Sequence, residues 1–413
     1  MGLLSNRFKI ISALLFIGTI MTATLFFSGC GYFESKTIQS KPKYITDNLQ
    51  LLRKGGCHPK WSHNNNLIAF DEMVNRNLEI FTMRPDGSDV KCLTCNKPGV
   101  PTGHKGQPFW HPSGKYIVFS AENDEYERWN RRDMTVMPAI SGRNNDVWIM
   151  TSDGKKFWRI TNTPENGGVI RPSFSPDGKT LYWNEEWSLE KYPGRGSLWS
   201  LEDQPLGEKW GLWRIKLADI SFDKTGVPIV SNVRTVNINK LYPGKVLLEG
   251  QGIQPDNEHL IFSAADINET KGYVRWGFPP KDIYGYAHWG ELYVTDLEGG
   301  SLVRLTHTPY NHDENPEFSP DFERIVWSRA KGAVGDRVEF YIMNADSSNI
   351  KQLTHFTEPG YPEYKGRIGG GGEVDWSPDG QQIIFSKYIG LELKYPYVKS
   401  NIYLLAIKVK SEN

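Results

Sequence analysis

The sequence has no surplus of charge of either sign. Its 413 residues carry 48 basic and 48 acidic side chains, a formal net charge of zero. Nucleic-acid binding draws on a basic surface that displaces counterions, so no nucleic-acid partner is expected. Cysteine is equally scarce, with four in the chain. A single C-x-x-C, Cys92 to Cys95, has no second pair to complete a zinc knuckle, and a local disulfide or buried thiols outrank redox chemistry there. No phosphate-binding loop or dinucleotide fingerprint follows a strand, and no G-x-S-x-G elbow offers a serine nucleophile. What the chain does have is turn formers and rings: 40 Gly, 25 Pro and 13% aromatics, the makings of many short strands. Its length exceeds one simple core, which leaves two domains or a repeat array.

The first 29 residues read as an export signal rather than as fold. Arg7 and Lys9 precede an uncharged stretch over 10–27, and Ser28-Gly29 stand directly before Cys30. Small residues before a cysteine resemble the lipobox of bacterial lipoproteins, although Phe27 stands where that family prefers Leu. The resemblance implies lipidation of Cys30, membrane attachment through that lipid, and an envelope location. Gly31 in place of Asp after the cysteine implies outer-membrane delivery. The alternative is an uncleaved anchor, since the stretch is about long enough to span a bilayer. Residues 30–44 then read as a tether, and 45–413 as the folded domain.

Self-comparison of the remainder finds one pattern six times, at 61–70, 110–119, 174–183, 253–262, 318–327 and 376–385. The clearest copies run Phe174-Ser175-Pro176-Asp177-Gly178 and Trp376-Ser377-Pro378-Asp379-Gly380, each followed by a β-branched and aromatic strand. Pro fixes φ, Asp bonds back to the backbone and Gly accepts positive φ, so each copy predicts a hairpin. A third strand follows, as in 146–151 and 291–296, and a fourth ends in Thr, as at Thr161, Thr306 and Thr354. Four strands per unit with this turn resemble the TolB-type branch of WD40-like propellers. The resemblance implies an all-β, six-bladed propeller with four-stranded blades, and says little about function. The sixth unit stops after its third strand, whereas 45–53 look like an orphan fourth strand. Pairing the two predicts a last blade closed by the N-terminal strand, which hides both sheet edges.

Repeat spacings of 49, 64, 79, 65 and 58 residues exceed the ~40–45 of a bare blade. The excess falls mainly between second and third strands, so the insertions are expected to load one mouth of the channel. They carry Trp129, Trp187, Trp276, Tyr284 and Trp289, flat faces that suit a sugar or an extended peptide. The plainer alternative is that these rings pack the loops onto the blades. Three residues before each hairpin stand His58, Gln107, Arg171, Gly250, Asn315 and Glu373, expected to ring the channel, with His104 nearby. His104, His312 and Asp313 are the candidate ligands for a divalent metal in that channel.

Two functions follow. The first is an exported scaffold, expected to be a monomer, that binds an envelope protein or a glycan through the loaded face. TolB itself carries an α/β domain before its propeller, which this sequence lacks between Cys30 and residue 45. The second is a metal-dependent carbohydrate-active enzyme resembling oligogalacturonate lyases. Peptidases of the prolyl oligopeptidase type are disfavoured, because their catalytic domain needs the missing nucleophile elbow.

Overall fold

In a computed structural model of the chain, the repeated turns are held by their own side chains. Ser175 Oγ donates to Asp177 Oδ1 at 2.6 Å, and the same carboxylate accepts the Lys179 N–H at 3.0 Å. Ser319 and Ser377 repeat the bond to Asp321 and Asp379, each at 2.5 Å. Gly178 and Gly380 close their turns at φ 72° and 65°, where a Cβ would be strained. The hairpins predicted from the sequence are therefore fixed locally before any packing.

The structure describes residues 49–125, 142, 144–165, 167–186, 213–236, 238, 245–266, 290–308, 311–331, 337–364, 370–392 and 397–407. These belong to one unit, Tyr44–Asn413. The export signal, Cys30 and the tether lie outside the described residues. Every regular element described is a β-strand. After β1 (Leu49–Lys54), the chain forms four four-stranded antiparallel sheets in sequence order. The first is β2 (Gly56–Trp61), β3 (Ile68–Val74), β4 (Asn77–Met83) and β5 (Lys91–Cys92). The second is β6 (Lys105–Trp110), β7 (Tyr116–Glu122), β8 (Asn145–Thr151) and β9 (Phe157–Arg159). The third is β10 (Val169–Phe174), β11 (Thr180–Glu186), β12 (Trp213–Phe222) and β13 (Pro228–Thr235). The fourth is β14 (Lys245–Ile253), β15 (His259–Asp266), β16 (Glu291–Asp296) and β17 (Val303–Arg304).

An eight-stranded sheet follows, made of two such meanders. One is β18 (Asn311–Phe318), β19 (Arg324–Lys331), β20 (Val338–Asn344) and β21 (Lys351–Gln352). The other is β22 (Gly370–Trp376), β23 (Gln382–Glu392) and β24 (Tyr397–Ala406), joined to the first by one parallel bridge, Val338 to Gly370. β1 supplies its fourth strand, antiparallel to β24 with Leu49 opposite Leu405. This is the terminal pairing expected from the sequence.

Packing explains the order of the sheets. The first strand of each meander lies against the first strand of the next, from β2 through β6, β10, β14 and β18 to β22, which returns to β2. Apolar side chains fill the wedges between neighbouring sheets. Tyr182, Leu217, Phe262 and Tyr293 pack between the third and fourth sheets, while Phe70, Ile384 and Ile402 pack the last meander onto the first sheet. Each fully buried ring or aliphatic chain contributes about 1.5–3 kcal/mol. A recurrent polar staple ties strand three to the segment after strand four. Glu79, Asp146, Glu291 and Glu339 accept from Thr94, Thr161, Thr306 and Thr354 at 2.5–2.9 Å. The same hydroxyls accept the N–H groups of Ile80, Val147, Leu292 and Phe340. These buried polar groups are thus paired with each other, as low-dielectric surroundings require. Cys92 and Cys95 form a disulfide, and Cys57 is the free cysteine among the described residues.

Candidate functional site

The first strand of each sheet breaks register near its middle, and these breaks build the site. In β2 the break falls between Cys57 and Lys60, in β6 between Gly106 and Phe109, in β10 between Ile170 and Ser173, and in β18 between Glu314 and Glu317. His58, Gln107, Arg171 and Asn315 occupy these bulges with φ of 45–55°. Each precedes a proline. Left-handed backbone in four non-glycine residues is strained, and a bulge re-aims the side chain it carries. The equivalent strand of the fourth sheet has Gly250, whose absent Cβ would lie 1.8 Å from the Tyr182 hydroxyl. Four of the six counted residues thus sit in left-handed bulges, and the fourth in chain order, Gly250, has no room for a Cβ.

Arg171 spans the ring. Its Nε donates to Glu249 and its Nη1 to Gln251 Oε1 at 3.1 Å, both on β14. Its Nη2 reaches Asn315 Oδ1 on β18 at 2.6 Å and Glu373 Oε1 on β22 at 3.1 Å. Its backbone N–H donates to Gln107 Oε1 on β6 at 2.9 Å. One guanidinium thus reaches three other meanders, and against burial the two carboxylates hold its pKa far above the ordinary arginine value. Burial lifts Glu249 to about 7 against the pull of Arg171.

His58 forms the second half of the site. Its Nδ1 is 2.8 Å from Asp71 Oδ2, and its Nε2 is 3.2 Å from Glu373 Oε1. Asp71 Oδ2 also accepts the Gln107 N–H at 2.8 Å. Burial pushes the His58 pKa down, but Asp71, Cys57 and Glu373 outweigh it and hold it well above the usual value. Glu373 is pushed up by burial, but His58 and Arg171 keep it well below the usual carboxylate range. Burial also raises the Cys57 thiol, whose Sγ is 4.0 Å from both His58 Nε2 and Glu373 Oε2.

A recess of about 240 Å³ opens beside this network. Its walls include Trp61, Trp110, Phe109 and Phe174, and its polar lining includes Lys60 and Glu317, which form a half-buried ion pair. His63, His111, Pro176, Pro255 and Pro320 of the repeated turns also line it, so it lies on the turn side of the channel. The sequence pointed to the opposite mouth, where the insertions were expected. Trp129, Trp187, Trp276, Tyr284 and Trp289 lie outside the described residues. The recess had a weak signal: every repeat begins its hairpin with a large apolar residue, and five of these six, Trp61, Trp110, Phe174, Ile253 and Phe318, line the recess.

The candidate metal ligands are not brought together. His104 and His312 hold equivalent places, each accepting a backbone N–H of the preceding sheet's third-strand region through Nδ1: Leu78 at 3.1 Å and Gly290 at 3.0 Å. Asp313 is chelated by Arg329, with bonds of 2.6 and 2.9 Å. The histidines therefore staple neighbouring sheets, and the carboxylate is already neutralised. Among the described residues, the groups that do converge with metal-binding atoms at the channel are Cys57, His58 and Glu373, of which the sequence singled out two as ring residues but gave no reason to join Cys57 to them.

No protein-family model matches the chain. It is 22% identical over 306 residues to an uncharacterised protein of Agrobacterium fabrum, covering 69% of this chain and 85% of that one. It is 24% identical over 281 residues to dipeptidyl-peptidase 5 of Porphyromonas endodontalis, covering 64% of this chain and 35% of the peptidase. The chain thus spans about a third of that peptidase. Among solved structures, one assigned to TolB of Agrobacterium tumefaciens matches with a TM-score of 0.46 and 13% identity, over 87% of this chain and 91% of that one. The chain is similar to TolB-type propeller proteins, in line with its turn motif and its run of four-stranded sheets.

Proposed function

We propose that the chain is a lipid-anchored binding module of the bacterial envelope, a six-bladed propeller that receives an envelope protein or a saccharide at a channel mouth. The blade count is supported by the cyclic order of first strands and by an apolar cluster in each wedge between neighbours. Anchoring rests on Ser28-Gly29-Cys30 and its flanks. The observation that carries the binding role is the recess walled by Trp61, Trp110, Phe109 and Phe174. It is concave, largely apolar and floored by a few polar groups, which is the usual make-up of a binding pocket. Its walls stand on hairpins pinned by their own side chains, Ser175 to Asp177 after Phe174, the Asn65 N–H to Ser62 after Trp61 and the Ser113 N–H to His111 after Trp110, so little ordering is needed on binding. Loops placed on a rigid scaffold, here the insertions read from the repeat spacing, are a second place for partner contacts.

The experiment is site-specific photo-cross-linking in cells. A photoreactive residue at His63, exposed on the recess rim, should give a discrete adduct. The same residue at Val233, exposed on the outer strand β13, should not. Equal labelling at both positions, or none at His63, overturns the recess as the binding site. Purified protein mixed with anionic oligosaccharides provides the complementary arm. Accumulation of an unsaturated product would replace the binding role with the lyase alternative.

A further inference from the structure

We propose that Cys57, His58 and Glu373 form a transition-metal site in the channel wall, suited to zinc. Consecutive residues of a regular strand point to opposite faces, so Cys57 and His58 would ordinarily be separated by the sheet. The bulge in β2 and the left-handed φ of His58 abolish that alternation. Sγ and Nε2 then converge at 4.0 Å. The neighbouring strand β22 breaks register between Gly371 and Val374, the stretch that carries Glu373. Ser386 Oγ donates to Glu373 Oε2 at 2.9 Å and accepts the Glu373 N–H at 3.1 Å, which fixes the carboxylate.

The spacing suits a tetrahedral ion. Zn–N of ~2.0–2.1 Å, Zn–O of ~2.0–2.2 Å and Zn–S of ~2.3 Å place ligand atoms about 3.3 Å apart for N and O, and about 3.6 Å apart where sulfur is one partner. The observed separations are 3.2 Å for Nε2 to Oε1, 4.0 Å for Sγ to Nε2 and 4.0 Å for Sγ to the other carboxylate oxygen, Oε2; with one ligand atom taken from each residue, all lie within 4.8 Å of one another. Adjustments of a few tenths of an ångström would complete the shell. The His58 ring is already oriented as a ligand should be. Asp71, fully buried, holds Nδ1 and leaves Nε2 facing Glu373 and Cys57. A carboxylate on the far nitrogen is the usual support for a metal-bound imidazole. A thiolate, an imidazole and a carboxylate favour zinc over calcium or magnesium, which take oxygen shells. His58 and Glu373 also border a cavity of about 30 Å³, room for one water as fourth ligand. Thiolate and carboxylate together balance a divalent charge, and Arg171 retains Glu249 as its partner.

The test uses the full-length, untagged chain in detergent, stripped with chelator and reloaded with zinc or cobalt(II). Expected results are retention of about one zinc per chain after dialysis, and a thiolate-to-cobalt charge-transfer band in the near ultraviolet. The disulfide of Cys92 and Cys95 offers no thiolate for such a band. Cys57→Ser, close to isosteric, should abolish the band and reduce retained zinc at least tenfold. His58→Asn should remove the rise in melting temperature that zinc gives the stripped wild type. Failure of the wild type to retain metal overturns the site, and so does a band that survives Cys57→Ser. Cross-linking at His63 is unaffected by either result, so the binding role and the metal site stand or fall separately.

Discussion

Arg171 offers the sharpest test of how the ring is held. It is the buried cation between Glu249 and Glu373, and it also satisfies Gln251 and Asn315. Arg171→Ala leaves two buried carboxylates without that counter-charge and removes a link among three sheets. Breaking a buried pair from one side costs about 3–5 kcal/mol. Glu249, already lifted to about 7, relieves part of this by taking up a proton near neutral pH. The expected loss at pH 7 is therefore near the lower bound, about 3 kcal/mol. With unfolding entropy of about 2.1 cal/mol/K per residue over the unit Tyr44–Asn413, a loss of 3–5 kcal/mol lowers the melting temperature by about 4–6 °C.

The assay is urea and thermal unfolding in chelator, followed by tryptophan fluorescence, at about pH 8 and about pH 5.5. The sign follows from linkage. Without Arg171 the folded-state pKa of Glu249 rises further above its unfolded value, while His58 still holds Glu373 down, so stability is lost as pH rises through the unfolded value of Glu249 towards its folded one. The variant should therefore fall further below wild type at the higher pH. Replacing the pair together, Arg171→Met with Glu249→Leu, should recover a large part of the loss, since the remaining cost is packing rather than an unpaired charge. A loss under about 1 kcal/mol, the size of an exposed ion pair, would refute the assignment of Arg171 as the brace of the ring.

Three further outcomes are expected. His111 is half-buried among Tyr116, Phe174 and Phe222, and that partial burial lowers its pKa, so wild-type stability should fall as pH drops below about 6.5, while His111→Asn shows a flatter unfolding titration; equal slopes would contradict this. Gly250→Ala sets a Cβ against the Tyr182 hydroxyl and should cost about 3 kcal/mol in wild type but clearly less in a Tyr182→Phe background, a coupling that a double-mutant cycle in urea would measure. If the insertion aromatics bind a partner, Trp276→Ala and Trp289→Ala should weaken glycan or partner retention with melting temperature near wild type, whereas equal loss of stability assigns those rings to packing.

The fold was legible because its signals are local. Ser175-Pro176-Asp177-Gly178 specifies its own turn through bonds two and three residues apart, and no distant residue is needed to form it. The pairing of β1 with β24 was legible for a topological reason, since an orphan strand at one end and a missing strand at the other have one obvious partner. The Thr–carboxylate staples were half visible: the threonines stood in the repeat, but their partners lie 15 residues earlier and alternate between Glu and Asp. The channel ring was visible by counting back from each hairpin, whereas the chemistry of its members was not.

That difference has a physical cause. His104 and His312 have the same side chain as His58, and counting back from the hairpin puts His58 in the ring and the other two three residues further away, without saying what each imidazole bonds. What separates them is backbone geometry and the bonds made by Nδ1. His104 and His312 spend that nitrogen on a backbone N–H of the preceding sheet. His58, turned by a bulge and a left-handed φ, gives it to Asp71 and faces Glu373 with the other. Cys57 gained meaning the same way, since a regular strand would have carried it to the opposite face. The strained X-Pro bulges thus do two jobs. They let the first strands bend around the channel, and they decide which side chains meet there. Relaxing one of them tests both at once: Pro59→Ala keeps every ligand candidate, so a loss of the cobalt band with the fold intact would show that the bulge, not the residue types, assembles the site.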